Sequence, residues 1–295
     1  MLTIKELAIN YYLPEKRIRR RANTVDGYAS SINKHVIPEF GNRRLDEITR
    51  DEIQSWIDGF DLAGAAEKAY KCIRQMFRWA IRKWALQIPD PTIGIELPRK
   101  KAYRPKVLNA KQLTMMLRGF WGSDYEATLI LSCSLGLRPG ECYAIDWRDI
   151  DMRSGSVTIS KTLQETSEGL KLYHTKTTQS DRIVYLPKWA RTRLKDIWRE
   201  SGKPRDRIIG QAKPSKVSRK IRSWSERNNL PSLTMQNARH TWATLAISAG
   251  VAIETVSMML GHSSIQTAYE HYIRPSKSIM ESAQAQVTKY LERYA

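Results

Sequence analysis

Long apolar runs are missing from this chain. The longest, at residues 127–137, is broken by Thr128, Ser132 and Ser134. It is too short and too polar to span a bilayer. The opening, MLTIKELAINYYLPEK, carries Glu6 and lacks the apolar core of a signal peptide. Cysteine is scarce: Cys72, Cys133 and Cys142 match no zinc spacing and make no disulfide framework. Acidic residues are few, with 30 Asp and Glu against 49 Lys and Arg. These absences exclude a membrane span and a secreted disulfide scaffold, and they place the chain in the cytoplasm. The formal net charge of +19 predicts a polyanionic partner, for which nucleic acid is the usual one. A chain of 295 residues is long enough for two domains, each with its own core.

Histidine is scarce too, and three of the five fall in one stretch, QNARHTWATLAISAGVAIETVSMMLGHSSIQTAYEHY, residues 236–272. Its apolar spacing is helical: Trp242, Leu245, Ala246 and Ala249, then Ile253, Val256, Met259 and Leu260. Gly250 and Gly261 break the run as C-terminal caps would. Arg239, His262 and Tyr272 are then placed near helix ends, where side chains converge. The same stretch also reads as a helix-turn-helix, 243–249 and the helix after Gly250-Val251.

Before this stretch, the spacing predicts helices at 3–13, ended by Pro14, and at 24–37, stopping before Pro38. Thr49 and Glu52 form a capping box for a helix to about Phe60. A long helix at 65–86 buries Tyr70, Ile73, Met76, Phe77, Ala80, Ile81 and Trp84. Its other face shows Lys68, Lys71, Arg74, Arg78, Arg82 and Lys83. Four prolines between 88 and 105, among basic residues, predict an extended basic linker. The domains are expected at 1–97 and 108–295, with the linker at 98–107. In the second, Asn109 caps a helix 110–118, a helix 124–135 ends at Gly136, and Pro139 starts a short one. Strand character follows at 147–161, then a hairpin at 170–186 around KTTQS. Residues 191–227 hold thirteen Lys and Arg against four Asp and Glu. A last helix, 277–294, repeats Ile279, Ala283, Val287 and Leu291 at every fourth position. The fold class is mainly α with a small antiparallel β-sheet.

Two polar sites stand outside the histidine stretch. GLRPGE sets Arg138 between a helix-ending glycine and a helix-starting proline, with Glu141 three residues on. Lys176 sits at the hairpin tip. Singly, each has a structural explanation: an Arg138–Glu141 ion pair and a solvated lysine. Together with Arg239, His262 and Tyr272 they make a phosphoryl-transfer set. Guanidinium groups match phosphate oxygens bidentately and stay charged. They offset the charge that builds on a pentavalent phosphorus. A tyrosine hydroxyl can attack phosphorus and hold it covalently. Its ordinary pKa of about 10 leaves roughly one molecule in a thousand ionised at pH 7, so neighbouring cations and a proton acceptor are needed. A lysine can protonate the departing sugar oxygen.

GLRPGE, the lysine of TKTTQSDRIVYL, ARHTWATLA, LGHSS and a tyrosine ten residues after that histidine together resemble the tyrosine recombinase (phage integrase) family. The resemblance runs over nearly the whole chain, with FGNRRLDEIT in a helical core-binding domain. It implies a two-domain clamp on duplex DNA that cuts and rejoins strands through a 3′-phosphotyrosyl link, without metal or other cofactor. By resemblance, Arg138 and Arg239 bind the scissile phosphate and Lys176 is the general acid. His262 contacts the phosphate or assists the nucleophile, Tyr272 is the nucleophile, and Glu141 orients Arg138. The family usually has His or Lys where this chain has Gln236, which donates a hydrogen bond but takes no proton. His240 is read as structural and Tyr269 as packing. The resemblance also implies a homo-tetramer on recombination or attachment sites, accessory DNA-bending or directionality proteins, and no membrane. Residues 1–22 are too short for a separate arm-binding domain. A helix-turn-helix regulator and a type IB topoisomerase are the rival readings.

Overall fold

The computed structural model describes residues 1–100, 105–175 and 181–261 and, beyond these, Ser264, Gln266, Tyr269, Gln284, Ala285, Val287, Thr288 and Glu292. It divides into two units, Met1–Tyr103 with Thr166–Gly169, and Arg104–Glu165 with Leu170–Ala295.

In the first unit, α1 (Ile4–Glu6) passes through a π-helical stretch, Leu7–Tyr12, into α2 (Leu13–Arg19). Pro14 therefore does not end the helix; it lies in the first turn of α2. A proline lacks the N–H, and its ring crowds the carbonyl four residues back. The π turn spaces its bonds five residues apart, as in Leu13 N–H to Ala8 O, and admits the ring. The same arrangement recurs at Pro38. There α3 (Ala22–Ser31) leads through a π stretch, Ile32–Val36, into α4 (Ile37–Phe40). The helix predicted to stop before Pro38 runs past it.

α5 (Arg50–Asp58) starts at the predicted box: Glu52 N–H donates to Thr49 Oγ1 at 3.3 Å, and Thr49 N–H to Glu52 Oε2 at 2.8 Å. α6 (Ala63–Trp84) buries Tyr70, Ile73, Met76, Phe77 and Ala80 against Tyr12, Ile32, Val36, Ile53 and Ile57. The start of the predicted linker stretch packs on these helices. Thr92 is fully buried, and its carbonyl accepts from Tyr70 Oη at 3.0 Å. Gln54 of α5 bonds the Glu96 backbone both ways, at 3.1 and 2.9 Å.

In the second unit, Asn109 caps α7 (Ala110–Gly119). α8 (Glu126–Leu135) is buried along nearly its whole length, its polar Thr128 and Ser132 included. It ends where Gly136 turns left-handed at φ 62°, and Pro139 opens α9 (Pro139–Ala144). β1 (Ser156–Ile159) pairs antiparallel with β4 (Arg182–Tyr185), Val157 opposite Val184. β2 (Lys161–Thr166) pairs with β3 (Gly169–His174) in a second small sheet. The hairpin predicted over 170–186 is thus not one unit: its two arms belong to different sheets. Val184 finds its buried partner in Val157 across the chain, whereas β3 has no fully buried position to offer β4.

Then come α10 (Lys188–Glu200), α11 (Pro214–Arg227), α12 (Met235–Ser248) and α13 (Ile253–Leu260). α12 packs on α8. α13 folds back on α12 through Ala243, Val256 and Leu260, all fully buried, with Gly250 at φ 87° in the turn. The fold is mainly helical with small antiparallel sheets. Among the described residues no helix is long and apolar enough to cross a membrane. The predicted helix 277–294 lies largely outside the described residues.

Candidate active site

Three arginines from three different elements meet the end of one helix. α13 stops at Gly261, left-handed at φ 66°. The last carbonyls of a helix have no partner within it, and they carry the negative end of its dipole. Here guanidinium groups supply the donors. Arg182 Nε donates to Met259 O at 2.9 Å, Arg239 Nη2 to Leu260 O at 2.9 Å, and Arg138 Nη2 to Gly261 O at 2.6 Å.

Each arginine is placed by its local sequence. Arg138 is the extended residue between α8 and α9, a conformation that a following proline enforces. Its backbone N–H donates to Glu141 Oε2 at 3.0 Å, and its Nη1 to Glu141 Oε1 at 2.8 Å. Arg239 lies on the second turn of α12, whose start is fixed by reciprocal bonds between Thr234 and Asn237. Only 2% of it is exposed. Its Nη1 donates to Gly136 O at 3.0 Å, tying α12 to the turn that carries Arg138. Arg182 begins β4; its Nη2 donates to Glu141 Oε2 at 2.9 Å.

Glu141 is buried, and burial works to raise its pKa. The Arg182 hydrogen bonds and charge, with Arg138, outweigh burial and hold the carboxyl below its ordinary value. Glu141 is therefore an anion joined to two guanidiniums, which fits it to orient Arg138 rather than to react.

The structure brings Arg138 and Glu141 into contact and sets Arg239 on the adjoining carbonyls at the end of α13. Lys176, His262 and Tyr272 lie outside the described residues. Gln236, on the first turn of α12, is exposed; its Nε2 lies 3.4 Å from Nε2 of the buried His240. Tyr269, expected in the packing, is 40% exposed. Arg182 was missed. The signal was the alternation in β4: buried Val184 puts Arg182 on the inward face, while Ile183 and Tyr185 point outward. The helix-turn-helix pair, α12 and α13, holds Arg239 inside and caps its own end with the three arginines. That makes it scaffold for the site.

Oriented guanidiniums gathered at one helix terminus, in a strongly basic chain, fit the class of proteins that handle nucleic-acid phosphates. The sequence pattern of the "Phage integrase family" matches residues 109–278, and that of "Phage integrase, N-terminal SAM-like domain" matches residues 3–60. The chain belongs to the phage integrase family. It is a tyrosine recombinase, a site-specific enzyme that breaks and rejoins DNA strands. An integrase of Streptomyces ambofaciens is 22% identical over 93% of this chain and 77% of its own. The fold resembles the Tn1549 transposon integrase in complex with a circular intermediate DNA, with TM-score 0.76, 16% identity, and 98% and 100% of the two chains covered. It also resembles a lambda integrase tetramer bound to a Holliday junction, with TM-score 0.70, 18% identity, and 92% and 78% covered.

Proposed function

We propose that this chain integrates or excises a phage or other mobile element through Tyr272. The Tyr272 hydroxyl attacks the scissile phosphorus, and the 5′ oxygen leaves with a proton from Lys176. The 3′ phosphate stays on the tyrosine until a 5′ hydroxyl of the exchanged strand attacks it. One phosphoester replaces another at each step, so the bond energy is kept and no nucleotide cofactor is consumed. Arg138 and Arg239 hold the phosphate, His262 contacts it or assists the tyrosine, and Gln236 supplies a hydrogen bond without taking a proton. Residues 1–97 act as the core-binding domain on DNA, 98–107 as the linker and 108–295 as the catalytic domain. The working assembly is a homo-tetramer on paired sites, joined by accessory DNA-bending or directionality proteins, in the cytoplasm of a bacterium or phage-infected host.

The observation that carries this reading is the convergence of Arg138 and Arg239. Arg239 bonds the carbonyls of Gly136 and Leu260; Arg138 bonds that of Gly261. Two guanidiniums far apart in sequence are thereby held at one helix end, which supports a shared role on one phosphate.

A nicked duplex that loses its leaving strand tests it. The wild type should give a protein–DNA band that survives SDS. Tyr272→Phe should bind the same DNA and give none. A band that persists in Tyr272→Phe and vanishes in Tyr269→Phe would overturn the assignment, and no band at all would favour a non-enzymatic regulator.

A further inference from the structure

We propose that Arg182 is a positioning residue for strand cleavage, one that seats the Arg138 guanidinium and the end of α13 as a single piece. The proposal rests on the site reading above. The Arg182 side chain is 9% exposed, and its nitrogens are engaged with the Glu141 carboxylate and the Met259 carbonyl. It holds Glu141 with two nitrogens: Nη2 on Oε2 at 2.9 Å and Nη1 on Oε1 at 3.3 Å. Arg138 uses the same two oxygens, through Nη1 on Oε1 and its backbone N–H on Oε2. A carboxylate offers about four acceptor positions, and these four contacts take them up. Without Arg182 half of the restraints on the carboxylate plane are gone, and Glu141 follows Arg138 instead of fixing it.

The other end of the Arg138 seat meets Arg182 as well. Arg138 Nη2 rests on Gly261 O, and Arg182 Nε rests on Met259 O two residues earlier. A Cβ at Gly261 would stand 2.9 Å from Arg182 Nη1, so this guanidinium packs directly under the turn that ends α13. His262 is the next residue in the chain. One side chain thus ties together the carboxylate that orients Arg138 and the backbone that receives it.

The test compares Arg182→Met and Arg182→Lys with wild type. Covalent-adduct formation is followed in a single turnover on the nicked duplex at saturating protein, and DNA affinity is measured separately. A displacement of the order of an ångström at a reacting group costs about 10- to 100-fold in rate. Arg182→Met should lose that much while DNA affinity stays within about two-fold. Arg182→Lys keeps the charge but not the planar fork, so it should recover only part of the rate. In an Arg138→Lys background, which has no guanidinium left to seat, adding Arg182→Met should cost less than about two-fold more. An unchanged rate in both Arg182 variants overturns the proposal. So does a full further loss in the Arg138→Lys background, or a fall in affinity that matches the fall in rate. If Arg182→Met does not fold, Arg182→Lys carries the same comparison. Tyr272→Phe run in parallel separates the two readings. An adduct that survives it sinks the site itself; an adduct lost there but formed normally by the Arg182 variants sinks only this proposal.

Discussion

Glu141 carries more of the site than a carboxylate that does no chemistry would be expected to. It is buried, it ionises below its ordinary value of 4.5, and it joins Arg138 to Arg182. Its charge is the compensation for two guanidiniums held close together. Removing one member of a buried ion network leaves the rest uncompensated, at about 3–5 kcal/mol. Glu141→Gln should therefore lose about that much stability near neutral pH, measured by urea unfolding. The pH dependence has a definite sign. The folded-state pKa is depressed, so the folded protein binds fewer protons than the unfolded one in this range. The stabilisation is fully present above pH 4.5 and is lost as the pH falls through the lower folded value. The gap between wild type and Glu141→Gln should accordingly be constant above about pH 5.5 and close below 4.5. A gap that widens on acidification would mean that Glu141 is protonated in the folded state.

At the scale of elements, the turn between α8 and α9 decides where Arg138 and Arg239 stand. Gly136 has φ 62°, and a Cβ there would lie 2.6 Å from Trp242 Cε3 and 2.9 Å from Leu260 Cδ2. Its carbonyl is also an acceptor for Arg239. Gly136→Ala combines a left-handed residue, worth about 1–2 kcal/mol, with overpacking, worth about 1–3 kcal/mol, so a loss of about 2–5 kcal/mol is expected in denaturant unfolding. Full stability in that variant would show that α8 and α12 slide apart freely. This turn was legible in the sequence because glycine and proline state their backbone preferences locally. So were the caps at Thr49 and Asn109, and the placing of Arg138 and Glu141 at a helix start. What was not legible depended on distant partners. The pairing of β4 with β1 hid Arg182, since a strand's neighbour is set by the face it buries and not by its nearest turn. Pro14 and Pro38 misled for a different reason: a proline in a helix predicts a stop, and nothing local announces the π turn that accommodates it.

At the scale of the molecule, the charge of +19 is distributed in two distinct environments. Most of it is on the surface, as with Lys68, Lys71, Arg78, Arg82 and Lys83 on α6, and Lys216, Arg219, Lys220, Arg222 and Arg227 on α11, all exposed. Some cations are inside: Arg239 is 2% exposed and Arg182 9%, both tied to backbone carbonyls. Salt acts on these two populations differently. Contacts between surface cations and DNA phosphates release counterions, so affinity should fall by about 10³ or more between 50 and 200 mM salt. Buried charges are screened far less, because mobile ions cannot enter between them and their partners. Once DNA is bound, the buried guanidiniums of Arg239 and Arg182 at the end of α13 should act at nearly the same strength whatever the salt. Binding curves and single-turnover cleavage at saturating protein, recorded over the same salt series, separate the two. Affinity should drop steeply while the rate of adduct formation changes by less than about two-fold. A cleavage rate that falls in step with affinity would place Arg239 and Arg182 in the same solvent-screened environment as the surface lysines, which would contradict their burial.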